Sequence, residues 1–166
     1  PWYYEMQELG YNFRITDIQC ALGISQMNKL DKFLKERQLL AVKYDQAFND
    51  INYLHTLPVP LPGSSHAYHL YPLLLAADVN RTVFFTYLRD HNIGVQVHYI
   101  PVHLQPYYRR RFGHKPGDFP RAENFYAQEI SLPLFPGLTE EQQEYVIKMV
   151  KSFGEDRGNV KGLAGE

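Results

Sequence analysis

Two neighbouring stretches of this sequence contain histidine and arginine side chains that could bind a ligand or take part in catalysis. GVQVHYIPVH contains His98 and His103, and QPYYRRR places Arg109 directly after two tyrosines. A neutral imidazole both donates and accepts hydrogen bonds, and a guanidinium binds phosphate oxygens in bidentate fashion. The sequence therefore leaves acid–base or hydrogen-bonding work at His98 or His103 open beside ordinary packing. At Arg109 it leaves a grip on a small phosphorylated ligand open beside a solvated basic loop.

A third stretch, YNFRITDIQ, places an amide and a guanidinium just before a helix start. Asn12 and Arg14 precede Thr16, and Thr16 with Gln19 forms the pattern of a capping box. Donors held in fixed positions suit a phosphate. The pattern fits an anion site, and it equally fits a loop that merely leads into a well-capped helix.

Other kinds of site are not indicated. The nucleophile elbow, GxGxxG and P-loop patterns are absent. His66 and His69 would point to opposite faces of a strand, and Cys20 is the only cysteine, so we predict no metal site. The lysines stand in polar settings, where nothing would lower the pKa of an amine.

Length and charge limit the class of protein. The chain has 166 residues, enough for one domain with its own core, and its net charge of −1 lacks the basic excess of a nucleic-acid binder. No apolar run reaches the ~18 residues of a membrane span, so we predict no membrane partner. A single cysteine is compatible with a reducing cytoplasm.

The elements that must position these residues follow from periodicity. Apolar residues at helical spacing from about Asp17 to Asn49 predict one long helix, bent near Gly23. HAYHLYPLLLA and VQVHY predict strands, TVFFTYLRDHN, PRAENFYAQEI and LTEEQQEYVIKMVKSF predict helices, ISLPL predicts a short extended piece, and the segment between Pro101 and Gly117 predicts an irregular loop. In VQVHY, alternation would place Val95, Val97 and Tyr99 on one face and Gln96 and His98 on the other. The order predicts an α/β or α+β domain with a small sheet packed by helices.

Three segments of the sequence resemble motifs of one protein family and occur in the order that the family has. LGYNFRITDIQCALGISQMNKLD, GVQVHYIPVHLQPYY and AENFYAQEISLPLFPGLTEEQQEYVI resemble the C-terminal part of DegT/StrS-type aminotransferases. These are pyridoxal-phosphate (PLP) enzymes of fold type I that act on nucleotide-linked keto-sugars. These segments are most similar in sequence to members that form UDP-linked 4-amino-4,6-dideoxy-N-acetyl sugars in pseudaminic-acid and spore-coat polysaccharide pathways.

The resemblance implies roles for individual residues. Asn12 is expected to reach the cofactor phosphate of the neighbouring subunit in a homodimer, and Arg14 to bind there or brace the loop. His98, Tyr99 and His103 resemble residues that line the sugar site. In the intact enzyme, glutamate would supply the amino group and C4 of a UDP-linked 4-keto-6-deoxy sugar would receive it.

The resemblance also implies what the chain lacks. The family's Schiff-base lysine precedes the loop that matches residues 10–14, so no catalytic residue is expected here and the chain alone should be inactive. Residues 1–16 would end the large cofactor domain, 17–50 form a connecting helix, 51–153 form a small C-terminal domain, and 154–166 form a flexible tail. The alternatives are a non-catalytic nucleotide-sugar-binding or oligomerisation module, and a histidine metal hydrolase.

Overall fold

The structure, a computed structural model, describes residues 5, 7–11, 13–57 and 63–163. Its helices are α1 (Asp17–Met27), α2 (Leu30–Phe48), α3 (Arg81–Asp90), α4 (Pro106–Phe112), α5 (Pro120–Gln128) and α6 (Glu140–Leu163), with a 3-10 turn at Val102–Leu104. Its strands are β1 (Leu54–Thr56), β2 (Tyr71–Leu75) and β3 (Glu129–Leu132). The chain divides between Phe33 and Leu34 into two compact units.

The first unit contains the predicted capping box and α1. The Thr16 hydroxyl accepts from Gln19 N–H, and the Gln19 side chain accepts from Thr16 N–H, which confirms the predicted helix start. No residue of α1 is buried, although Ile18, Leu22 and Ile24 are apolar. This helix therefore has an apolar surface that is left exposed.

The predicted long helix is present as two helices. Lys29 N–H donates to Gln26 O, which is a tighter turn than the i→i−4 bond of an α-helix, and a new helical ladder starts where Phe33 N–H donates to Lys29 O. The interruption thus falls at Asn28 and Lys29, while Gly23 lies inside α1 rather than at a bend.

Three antiparallel strands in the order β1-β2-β3 form the sheet of the second unit. β2 and β3 confirm the predicted buried strand and the predicted short extended piece, whereas β1 was not predicted. Leu73 pairs with Ile130 and Leu75 pairs with Leu54, so these buried side chains share one face. An antiparallel sheet with separate helices makes the second unit an α+β fold.

Helices cover the apolar face of this sheet and complete the core. α3 packs against α6 and β3, and α5 packs against β2. Phe84 meets Phe153 with ring centroids 4.7 Å apart, and Tyr44 meets Tyr71 at 4.9 Å. Because Tyr44 and Phe84 are fully buried, the core is held largely by aromatic packing.

The predicted strand VQVHY is wrong. Only a single bridge forms, in which Gln96 and Ser131 exchange backbone hydrogen bonds. The next backbone donor, His98 N–H, goes to the Glu129 side chain instead of a strand carbonyl, so the ladder stops. The predicted face also breaks up, since Val95 is fully buried and Tyr99 is 70% exposed.

Two further segments differ from expectation. The segment predicted as irregular contains α4, which begins with Pro106 and is capped after Phe112 by Gly113, a residue in the left-handed region with φ 74°. Both are ordinary helix-boundary residues. The closing helix, predicted to end at Phe153, continues to Leu163.

Candidate functional site

His98 lies at the edge of the sheet, beside β3. The bridge between Gln96 and Ser131 places the chain alongside the strand, and His98 N–H then donates to Glu129 Oε2 over 2.7 Å. His98 Nδ1 lies 2.8 Å from Ser131 Oγ and 3.9 Å from Glu129 Oε1. The backbone and the ring of His98 are therefore both fixed, and 16% of the side chain stays exposed.

Glu129 and Ser131 form the polar face of β3. Alternation along the strand places both on the side opposite Ile130, and Ser131 Oγ lies 2.5 Å from Glu129 Oε1. Glu129 is completely buried and Ser131 nearly so. A buried carboxylate needs donors for its oxygens, and here a backbone N–H and a hydroxyl supply them.

Tyr99 extends outward beside this cluster. Its ring meets that of His98 edge-on with centroids 4.6 Å apart, and its side chain is largely exposed. The structure thus brings together two predicted sugar-site residues, one fixed imidazole and one exposed phenol. Such a pair can bind polar groups of a ligand and cover its apolar face.

His103 belongs to a second cluster. It lies on the 3-10 turn, is 8% exposed, and its Nε2 is 2.9 Å from Glu123 Oε1. Glu123 also accepts from Gly117 N–H and Phe119 N–H. The Gly117 N–H, followed by the His103 side chain, lowers the pKa of Glu123, which keeps this carboxylate charged.

A cavity of about 390 Å³ opens next to His103. It is lined by Pro101, Val102, His103, Tyr108, His114, Phe119 and Ala122. The His103 ring meets Phe119 at 4.7 Å and His114 at 6.3 Å. Aromatic and imidazole walls suit the apolar face of a planar or cyclic ligand.

Arg109 lies on α4, which packs against the 3-10 turn. Its side chain is exposed, and so is that of neighbouring Tyr107. Tyr108 on the same helix lines the cavity beside His103. The predicted phosphate-binding residue therefore stands near a cavity that could hold the rest of the ligand.

The predicted cofactor residues belong to the first unit. Arg14 is exposed and lies two residues before the helix cap Thr16. Asn12 lies outside the described residues. Nothing in the described part of the chain hydrogen-bonds or ion-pairs with the Arg14 guanidinium, and a guanidinium in that state can take an anion.

Sequence reasoning missed Glu123, Glu129 and Ser131. Glu129 and Ser131 could have been found from EISL, because a carboxylate and a hydroxyl two residues apart within an apolar strand share one face. Glu123 carried no such local signal, since its partner His103 is 20 residues away in the sequence.

Metal, membrane and lysine chemistry find no support in the described residues. No group of three or more His, Cys, Asp or Glu in those ranges could hold a metal ion, and no helix there is long and apolar enough to cross a bilayer. Lys43 pairs with Glu140 and Glu144, and these hydrogen bonds raise its pKa. The other lysines with described side chains are exposed: Lys29, Lys32, Lys35, Lys115, Lys148 and Lys151.

A larger cavity, about 760 Å³, lies between the end of α3 and the start of α6. It contains none of the predicted site residues. Its walls are mainly apolar, with Ile93, Phe135 and Leu138 among them, and it offers no imidazole or cation for chemistry. We therefore place the candidate site at the sheet edge and the 3-10 turn.

Comparison with known proteins places these residues in context. Residues 2–151 match the DegT/DnrJ/EryC1/StrS aminotransferase family. The chain is 42% identical over 154 residues to the spore coat polysaccharide biosynthesis protein SpsC of Bacillus subtilis, covering 90% of this chain and 39% of the relative. It is 39% identical over 134 residues to the UDP-4-amino-4,6-dideoxy-N-acetyl-beta-L-altrosamine transaminase of Campylobacter jejuni, covering 80% and 35%.

The fold agrees with solved structures of the same group. Helicobacter pylori PseC, an aminotransferase involved in the biosynthesis of pseudoaminic acid, superposes with a TM-score of 0.81 at 32% identity, covering 93% of this chain and 42% of that one. The PLP form of a putative sugar aminotransferase from Streptococcus pneumoniae superposes with a TM-score of 0.82 at 27% identity, covering 94% of this chain and 40% of that one. The chain spans about two fifths of the length of the curated relatives it matches. These matches confirm the predicted resemblance.

Proposed function

Because this chain belongs to the DegT/DnrJ/EryC1/StrS aminotransferase family, we propose that it forms the C-terminal part of a PLP-dependent nucleotide-sugar aminotransferase. The complete protein would move the amino group of glutamate to C4 of a UDP-linked 4-keto-6-deoxy sugar, for cell-surface polysaccharide or glycan biosynthesis. One observation carries the proposal: the family match over residues 2–151 includes every residue predicted for the site.

The donor set of the first unit fits one part of the cofactor. Arg14 offers an exposed guanidinium next to a capped helix start, which is suitable chemistry for a phosphate. By resemblance we assign Asn12 to the same phosphate. When bound, the cofactor carries the amino group between the two substrates and acts as the electron sink. Arg14 and Asn12 would hold its phosphate end in place.

The reactive amine is proposed to come from elsewhere in the complete protein. A lysine that forms a Schiff base acts as a neutral amine, which requires a lowered pKa. Lys43 has a raised pKa, and the other lysines with described side chains are exposed to water. We therefore propose that the reactive lysine belongs to a part of the parent not included in this chain, and that this chain alone does not transaminate.

The second unit would bind the sugar nucleotide. Arg109 would bind a phosphate of the UDP group, because its guanidinium is exposed beside aromatic side chains. His98 and Tyr99 would contact the sugar from the sheet edge. His103 would contact the ligand from the wall of its cavity while Glu123 holds its ring.

The exposed apolar surface of the first unit supports a homodimer with shared active sites. Leu9, Tyr11 and Phe13 are each at least 87% exposed, and α1 adds further exposed apolar side chains. Many exposed apolar side chains in one unit favour a protein–protein contact. We place the assembled enzyme in the cytoplasm, where glutamate and UDP-linked sugars are available.

The test separates the two halves of the reaction in the full-length protein. Arg109→Gln should raise the KM for the UDP-sugar by about tenfold, the usual effect of losing one charge-assisted hydrogen bond, and leave the glutamate half-reaction unchanged. Arg110→Gln is the matched control on the same helix and should change neither. A wild-type protein that binds UDP-sugar but never reacts with glutamate would instead indicate a non-catalytic binding module.

A further inference from the structure

We infer that Glu129 and Ser131 hold His98 in the tautomer that carries its proton on Nδ1, so that Nε2 accepts a hydrogen bond from a hydroxyl or N–H group of the ligand. Glu129 and Ser131 are then positioning residues that set the polarity of the site. The position of the proton follows from the geometry, with Glu129 as a carboxylate and the His98 ring neutral. The identity of the ligand as a sugar rests on the proposed function.

The first hydrogen bond has only one direction. A backbone N–H can only donate, so His98 N–H donates to Glu129 Oε2 over 2.7 Å. The other carboxylate oxygen, Oε1, faces Ser131 Oγ at 2.5 Å. Both oxygens of Glu129 thus face a donor, and the carboxylate acts as an acceptor on both sides.

That arrangement determines the next two bonds. The Ser131 hydroxyl has one proton, and it donates this proton to Glu129 Oε1. Ser131 Oγ can then only accept from His98 Nδ1, which lies 2.8 Å away. A neutral ring must therefore carry its proton on Nδ1, which leaves a lone pair on Nε2.

Nε2 is the atom left for a ligand. Among the described residues, no hydrogen bond reaches His98 Nε2, and the side chain remains 16% exposed. A lone pair there favours a donor such as a sugar hydroxyl or an N-acetyl amide N–H. It disfavours a phosphate or carbonyl oxygen, which would meet another lone pair.

An isosteric substitution of Glu129 should reverse the direction of the hydrogen bonds that run from His98 Nδ1 through Ser131 to residue 129. In Glu129→Gln the amide oxygen must take the His98 N–H, so the amide NH₂ faces Ser131 and donates to Oγ. The serine hydroxyl would then turn and donate to Nδ1. The imidazole proton would move to Nε2, and the outward-facing acceptor would become a donor.

Nitrogen NMR of the full-length protein with ¹⁵N-labelled histidine reads the tautomer directly. At neutral pH we expect His98 to carry its proton on Nδ1 in the wild type and on Nε2 in Glu129→Gln. Glu140→Gln, the same change at an exposed carboxylate, should leave the wild-type signal. A wild-type ring protonated on Nε2, or an unchanged tautomer in Glu129→Gln, would overturn the inference.

Kinetics separate this inference from the proposed function. If the ligand presents an N–H group to Nε2, Glu129→Gln should raise the KM for the UDP-sugar roughly five- to a hundredfold, the usual effect of opposing one polar group with a mismatched partner, and leave the glutamate half-reaction unchanged. Activity in the wild type with an unchanged KM in Glu129→Gln would refute a contact between His98 Nε2 and a ligand N–H while the proposed function stands, because only a hydroxyl can turn and accept from the new Nε2–H. No transamination by the wild type would refute the proposed function, and NMR would still decide the proton position.

Discussion

Replacing Tyr44 with phenylalanine removes one buried hydroxyl and leaves the aromatic packing in place. The Tyr44 ring is fully buried between Phe48, at a centroid distance of 5.5 Å, and Tyr71, at 4.9 Å. Its hydroxyl donates to Pro133 O over 3.0 Å. Pro133 directly follows β3, so this bond ties α2 to the chain that leaves the candidate site.

The size of the effect follows from burial. Losing the donor to a buried carbonyl costs about 1–3 kcal/mol. Pro133 is half-buried, which allows some rehydration, so we expect the free energy of unfolding of Tyr44→Phe to fall by about 1–2 kcal/mol. Burial raises the pKa of Tyr44, so the phenol stays protonated and donates throughout the neutral range.

Tyr145→Phe is the matched control. The Tyr145 hydroxyl also donates to a backbone carbonyl, His91 O at 3.2 Å, but this side chain is 44% exposed. Water can replace the lost bond, so the free energy of unfolding should change by less than about 0.5 kcal/mol.

Equilibrium unfolding of the purified chain in urea measures both values, with the slope unchanged if only stability is altered. If the free energy of unfolding fell no more in Tyr44→Phe than in Tyr145→Phe, the reasoning from burial would be refuted.

Two further predictions concern stability. The pKa of Glu123 is lowered, chiefly by Gly117 N–H, so its stabilising contribution is present above the pKa of the unfolded chain and is lost as pH falls through the folded value. Melting temperatures measured from neutral to acid pH should therefore fall more steeply for the wild type than for Glu123→Gln, and parallel curves would contradict this. A Cβ at Gly154 would lie 2.5 Å from Tyr53 Cε1, so Gly154→Ala should destabilise the chain by about 1–3 kcal/mol, as overpacking does. Gly23 lies inside α1, and a Cβ there would have no neighbour within 4 Å, so Gly23→Ala should stabilise the chain by up to about 1 kcal/mol. Urea unfolding in which the two glycine variants changed stability in the same direction would show the account of packing to be wrong.

Local signals were sufficient for the helix starts. The capping box at Thr16 was predicted from residues three positions apart, and it forms with the expected hydrogen bonds; a second box, between Thr139 and Gln142, is equally local. The Asn80 side chain caps α3 through contacts that are also local in the sequence. The boundaries of α4 are also encoded locally, by Pro106 and Gly113.

Non-local pairing explains the errors at the sheet edge. The alternation in VQVHY is real, but a strand needs a continuous partner, and His98 N–H is taken by the side chain of Glu129, 31 residues away in the sequence. A single sequence does not indicate which distant carboxylate will compete with a strand carbonyl.

The candidate site was likewise predicted in part from the sequence, and its remaining residues depend on non-local contacts. Residue chemistry pointed to His98, His103 and Arg109, and the family resemblance to Asn12, but the partners that fix the histidines had to be read from the fold. Which ring nitrogen of His98 keeps its lone pair depends on the hydrogen bond to Ser131. The identities of histidine and serine in the sequence do not determine it.

The most direct test of the central claim is amino transfer by the full-length protein. Loaded with PLP and given glutamate and a UDP-linked 4-keto-6-deoxy-N-acetyl sugar, it should yield the UDP-linked 4-amino sugar and 2-oxoglutarate in equal amounts, measured by mass spectrometry. Recovery of the keto-sugar unchanged, from a protein that retains its cofactor and reacts with glutamate, would contradict the claim that this chain forms the sugar side of the site.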